Sequence, residues 1–216
     1  MPTPTWERLD PERRDRVLRA AMAEFGRYGF SGGSLNTIAR EAGVAKGSLF
    51  QYFADKLDFF ATVCDEVSRR IRDEIEPRLA ELAPGRGIFD FFEDALDLWI
   101  DYFAAHPTER AVTAATMLEL DTAARSAVRG VVHRHYLEVL RPLVAAAKAR
   151  GDLREDTDLD ALLAWLLLLL PHLALAPYIE GLDPVLGLYG SSPEELKSQV
   201  RRLVATLRVA YGRERT

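Results

Sequence analysis

The chain is poor in the residues that build covalent frameworks and flexible joints. Its 216 residues include one cysteine, Cys64. A single thiol excludes an intramolecular disulfide framework and fits a reducing compartment. The apolar neighbours Phe60 and Val67 make Cys64 a buried structural thiol rather than a nucleophile. Asparagine is nearly absent, with Asn36 the one example, and no Gly/Ser-rich linker, low-complexity tract or internal repeat interrupts the chain. The N-terminal stretch MPTPTWERLDPERR is polar and lacks an apolar core segment, so no secretory signal is expected and the chain is assigned to the cytoplasm. There is no Gly-rich phosphate loop, no CxxC pair and no GxSxG elbow. His133 and His135 stand two residues apart and project from different faces of a helix, so they do not form a chelating pair. Glu194 and Glu195 are accounted for by helix-start electrostatics. No catalytic residue, metal site or cofactor is therefore assigned.

What is present is helical periodicity, punctuated at Ser34–Lys56, SLNTIAREAGVAKGSLFQYFADK. Ser34 can cap a first helix through its hydroxyl, and Leu35, Ile38 and Ala42 then share a face. Ala39 is small enough to admit a second helix closely. Gly43 stands where the chain must turn, at a position favouring positive φ. Val44, Leu49 and Phe53 hold the second helix to the first, leaving Lys46, Gly47, Ser48, Gln51 and Tyr52 facing outward. This is the spacing of a helix-turn-helix, which carries one short helix into the DNA major groove. A plain helical hairpin with a Gly cap is the alternative, and the neighbourhood decides against it. An amphipathic helix precedes the pair, Arg16 to Phe30, with Val17, Ala21, Phe25 and Tyr28 in register and Gly29 closing it.

The combined run from about residue 13 to 60, with its F-x3-GF, IA-x2-AGV and G-x-LF-x-YF-x2-K elements, resembles the DNA-binding domain of the tetracycline-repressor (TetR) family. The resemblance implies an all-α chain with two parts. Residues 1–54 would be a three-helix reader, and residues 55–216 a helical domain for ligand binding and dimerisation. It implies a homodimeric repressor of double-stranded operator DNA, released by a small apolar ligand. On that reading Lys46 faces a guanine edge and Gln51 an adenine. Ser48 and Tyr52 reach phosphates or a thymine methyl, while Ser34 and Lys56 grip the backbone, with Arg13 and Arg14 adding contacts. Two positions depart from the family pattern: Phe50 stands where Tyr is usual, and Gly33 where Thr is common. Both departures remove possible backbone contacts.

The charge is unusual for such a partner. The chain holds 28 Lys+Arg against 33 Asp+Glu, net −5. Residues 1–60 carry 9 basic against 8 acidic side chains, so the acidic excess lies beyond the reader. With so little net charge, affinity must come from charge placement and from doubling the contacts in a dimer.

Beyond the reader, Asp55 reads as the cap of a helix from about Lys56 to Ile75, ended near Pro77 and the PGRG turn at Pro84–Gly87. Further helices are expected over Ile88–Ala105, from Pro107, from Asp121 to Arg150 with a kink at Pro142, from Thr157, and from a capping box at Ser192–Glu195. Phe89, Phe91, Phe92, Trp99, Tyr102 and Phe103 crowd one stretch, more aromatic surface than one packing face requires. Core packing is one reading; an apolar ligand cavity is the other, lined by Phe92, Leu96, Trp99, Phe103, Met117, His133, Tyr136 and Trp165. The run Ala161–Ile179 approaches transmembrane length, but Pro171, Pro177, His172 and the preceding DTDLD argue against insertion. It reads instead as a buried helix. Leu166 and Leu170 on it, with Leu196, Val200, Leu203 and Leu207 on the last helix, form the expected dimer seam.

Overall fold

The computed structural model describes residues 2–82 and 87–213. Among the described residues ten helices follow one another: α1 (Pro4–Glu7), α2 (Pro11–Gly32), α3 (Leu35–Ala42), α4 (Lys46–Tyr52), α5 (Lys56–Leu82), α6 (Ile88–Ala105), α7 (Pro107–Met117), α8 (Thr122–Arg150), α9 (Leu159–Leu175) and α10 (Pro193–Tyr211). Among the described residues the sole β pairing is an isolated bridge between Leu153 and Gly212. The all-α expectation holds.

Most helix starts follow local chemistry. The Asp10, Asp55, Asp121 and Ser192 side chains each accept a backbone N–H three residues on, satisfying donors that the first turn leaves unpaired. Glu195 returns the bond to Ser192 N at 2.9 Å, completing the expected capping box. Two boundaries move. Helix α9 is capped by Asp158, which accepts from Asp160 and Ala161, rather than starting at Thr157. Helix α5 continues through Pro77 to Leu82, since the ring lies on the exposed side and costs the helix one hydrogen bond. Helix α8 likewise runs on through the exposed Pro142. Pro84 to Arg86 of the expected turn lie outside the described residues.

The chain divides into two compact units, each discontinuous in sequence, whereas the sequence suggested one cut at 54/55. The first comprises Met1–Ile71 and His106–Arg134, the second Arg72–Ala105 and His135–Thr216. In the first, α2 packs on α3 and α7. Gly26 allows a close crossing there, because a Cβ would stand 3.0 Å from the Ala111 Cβ. The core is aromatic: Phe53 stacks on Phe59 at 4.1 Å, and Phe25 meets Phe59 and Phe60 edge-on. Cys64 is buried there, 3.4 Å from Thr116 Oγ1, and burial pushes its thiol up to about 12, so it stays protonated and inert.

In the second unit α6 packs against α9 and α10. All six aromatics of α6 are buried, so the crowding seen in sequence is first of all core. Trp99 Nε1 donates to Leu170 O at 2.7 Å, tying α6 to α9. Lys197 and Arg208 of α10 reach Asp101 and Asp90 of α6 at 3.1 and 2.6 Å.

Candidate nucleic-acid interface

The reader is built by caps and one left-handed residue. Ser34 Oγ accepts Thr37 N at 3.3 Å and starts α3. Gly43 adopts φ 66, ψ 36, the αL conformation that ends α3, and Val44 N returns to Ala39 O at 2.9 Å. Ile38, Ala39 and Ala42 of α3 and Leu49 of α4 are buried, with Val44 half-buried between the helices. Seven residues are too few for a helix to persist alone, so α4 is held by these contacts.

The structure sorts the outward residues differently from the helical wheel. Lys46, Gly47 and Gln51 are exposed and Ser48 is half-buried. Tyr52 is a correction: it is only 3% exposed, because Trp6 covers it with ring centroids 5.7 Å apart. Phe50 takes the outward place, 51% exposed. Tyr28, expected in the α2 core stripe, is likewise exposed, with Arg27 over its ring at 5.3 Å. Lys46, Phe50 and Gln51 are thus the large side chains that α4 leaves exposed.

The flanking segment is braced from three sides. Helix α2 breaks at Gly29 (φ 67, ψ −175) rather than ending there, and residues 30–32 resume the helix. That restart leaves backbone donors without helical partners, and the buried Glu119 supplies them. Glu119 Oε2 accepts Phe30 N at 2.8 Å and Ser31 N at 3.3 Å; Oε1 accepts Ser31 Oγ at 2.8 Å and Asp121 N at 2.9 Å. Burial pushes the Glu119 carboxyl up, but these four bonds outweigh it and hold it below its ordinary value. Glu24 Oε1 accepts Ser34 N at 2.8 Å. Lys56 Nζ lies 3.4 Å from Ser31 O and 4.9 Å from the Phe30 ring centroid. Ser34 and Lys56, expected to grip DNA, therefore also hold the approach to α3 in place.

Gly33 is buried, and a Cβ there would lie 2.6 Å from Phe25 Cδ1 and 2.9 Å from Gly29 O. Its departure from the family's Thr is a packing requirement.

Sequence reasoning missed Glu119, whose role depends on a contact 88 residues away. It also missed the N-terminus. Thr3-Pro4 and Asp10-Pro11 each read as a cap followed by Pro at the first helical position, a signal that was available.

Residues 17–63 match the model of the family described as "Bacterial regulatory proteins, tetR family". The comparisons support a regulator similar to that family. The chain is similar to the "HTH-type transcriptional repressor SCO4008" of Streptomyces coelicolor, 34% identical over 100 residues, 45% of this chain and 46% of that one. This match spans about half the relative's length. Solved structures share the fold over nearly the whole chain. The fatty acid degradation regulator FadR of Bacillus halodurans matches with TM-score 0.71 and 20% identity over 91% of this chain and 96% of that one. FadR of Bacillus subtilis, solved in complex with stearoyl-CoA, matches with TM-score 0.67 and 16% identity over 88% and 96%.

The other expected site residues are distributed over both units. Phe92, Leu96, Trp99 and Phe103 are buried on α6, and the Trp99 ring lies 5.7 Å from Tyr136 of α8. Burial pushes the Tyr136 hydroxyl well above its ordinary pKa. Met117 and His133 belong to the first unit. His133 is held below its ordinary value by burial and by Arg129. Trp165 is a correction: it is 57% exposed on α9, so it lines no interior of the single chain.

The dimer seam also needs correcting. Leu166, Leu170, Leu196 and Val200 are buried within the chain itself, where α6, α9 and α10 meet. Leu203 and Leu207 are half-buried. The apolar side chains that α9 and α10 leave open are Trp165, Leu168 (68% exposed) and Val209. No helix among the described residues is long and apolar enough to cross a membrane.

Proposed function

We propose that this chain is a homodimeric, ligand-responsive repressor that reads operator DNA with α4 in the major groove and works in the cytoplasm. The observation that carries the reading is the α3–Gly43–α4 geometry, with Lys46 and Gln51 exposed on the reading helix. Lys46 reads a guanine edge and Gln51 an adenine, while Ser48 contacts the backbone. Gly47 brings no side chain and lets the helix approach closely. Ser34 and Lys56 contribute to the backbone grip from the braced segment. Tyr52 drops out of the contact set. Two copies join through the open apolar faces of α9 and α10, around Trp165, Leu168 and Val209, so that two α4 helices meet half-sites about 34–36 Å apart or somewhat more.

A small apolar ligand enters among the α6 aromatics, with Trp99, Phe103 and Tyr136 as its contacts. Ligand binding favours a spacing of the two readers that no longer fits the operator. The stearoyl-CoA held by the B. subtilis FadR is consistent with an apolar effector in this fold.

Selection from randomised duplexes tests the reading. Wild type should enrich a palindrome, and Gln51→Ala should lose preference at one position per half-site while keeping the rest. Equal preference in the two proteins removes the role of Gln51, and no enrichment by wild type removes the DNA reading. A panel of fatty acids and aromatic effectors that leaves operator affinity unchanged removes the release step.

A further inference from the structure

The last turn of any α-helix leaves its final carbonyls without helical donors. Helix α4 has an acute form of this problem. It is one short helix with no side-chain cap at Ala45, no basic side chain in its last turn and no glycine after it; Phe53 follows in extended conformation. Its closing carbonyls are satisfied from the other end of the domain. Thr3 N donates to Tyr52 O at 2.9 Å, and Thr3 Oγ1 donates to Gln51 O at 2.7 Å. The same residue begins α1, since Thr3 O accepts Trp6 N at 3.0 Å. Pro4 presets the first helical position. One turn later Trp6 is buried against Tyr52 and, at 4.8 Å, against Phe53.

We propose that Thr3 is a positioning residue for DNA reading: the Thr3–Trp6 segment is a clip that closes the C-terminal end of α4 and so sets the direction of the Gln51 side chain. This rests on the reading of α4 as the recognition helix. Thr3 touches no base; it acts through the backbone of the residue that does. Two hydrogen bonds and one buried indole converge on the C-terminal end of α4. The clip also explains why Tyr52 is withdrawn from the outward face while Phe50 and Gln51 remain on it. Phe25, Ile38, Phe59 and Phe60 are buried in the first unit's core.

The test compares full-length wild type, Thr3→Val and Thr3→Ser. Valine keeps the shape and loses the hydroxyl donor; serine restores it. Affinity is measured for the duplex that wild type selects and for a scrambled duplex, each across a salt series. Thr3→Val should weaken binding to the selected duplex about fivefold, the effect of one hydrogen bond. It should leave scrambled binding and the salt slope unchanged, and Thr3→Ser should restore affinity. A shallower salt slope in Thr3→Val would mean that the N-terminal segment touches phosphates itself, which overturns the positioning role. Unchanged affinity, or no rescue by serine, also overturns it.

A second measurement needs no DNA. Hydrogen exchange at the amides of residues 50–53 should speed up about fivefold in Thr3→Val relative to residues 38–42 of α3. Equal exchange in both helices overturns the clip even if the operator reading stands. Accelerated exchange with no operator selection retains the clip as a helix-end contact but overturns its role in reading.

Discussion

Glu119 and Ser31 lie 88 residues apart and meet side chain to side chain at 2.8 Å. The contact joins the end of α7 to the point where α2 restarts after Gly29. All four bonds to the Glu119 carboxylate come from within a few residues of either side of that junction. A charge buried with this many donors is stable only while each donor stays in place.

Replacing Glu119 therefore exposes several buried donors at once. Glu119→Ala should destabilise the chain by about 3 kcal/mol, given ~1.5–3 kcal/mol for a hydrogen bond to a charged group. Glu119→Gln should cost less, because its amide oxygen keeps one pair of donors while its NH2 confronts the other. Urea unfolding of the three proteins checks the order.

The same carboxylate makes the chain acid-sensitive. Its folded pKa lies below the unfolded value of about 4.3, so it binds protons more readily when unfolded. The stabilisation is complete above that unfolded value and is lost as pH falls through the folded pKa. Unfolding free energy should therefore drop as pH falls below about 4.3. The drop should be smaller in Glu119→Gln. Equal pH dependence in the two proteins would remove Glu119 from this effect.

Gly33 has no room for a side chain. Gly33→Ala pushes a Cβ against Phe25 and against the Gly29 carbonyl, which is backbone and yields little. The expected cost is about 1–3 kcal/mol, the usual range for overpacking. Calorimetry should show a lower Tm. A melting point equal to wild type would show that the segment shifts freely.

Leu168 and Leu196 should separate assembly from folding. Leu168→Glu places a charge on the open face of α9 and is expected to give a monomer in sedimentation with near wild-type unfolding. Leu196→Ala removes a side chain buried in the chain's own core, and should cost about 2–5 kcal/mol of stability. A Leu168→Glu protein that remains dimeric would move the interface elsewhere.

The helix-turn-helix was legible because its determinants are local. A hydroxyl cap at Ser34, a glycine at Gly43 and apolar spacing within eight residues act on neighbours in sequence. The helix starts at Asp55, Asp121 and Ser192 were legible for the same reason. Helical spacing predicts which residues share a face, but not what that face meets. Leu166, Leu170, Leu196 and Val200 form a stripe suited to a partner helix, and they are buried by helices of their own chain. Tyr52 lies on the outward side of its helix until Trp6 closes over it.

The amino-acid sequence by itself determined that the chain is helical, where its helix-turn-helix lies, and that Lys46 and Gln51 stand on the second helix of that pair. The tertiary structure alone decided which apolar and polar side chains were spent internally. Trp6 took Tyr52, Thr3 took the last carbonyls of α4, and Glu119 took the amides beyond Gly29. The physical reason is range. Caps and turns are settled within one helical turn, whereas burial and the pairing of buried donors depend on segments that meet only after the chain has folded.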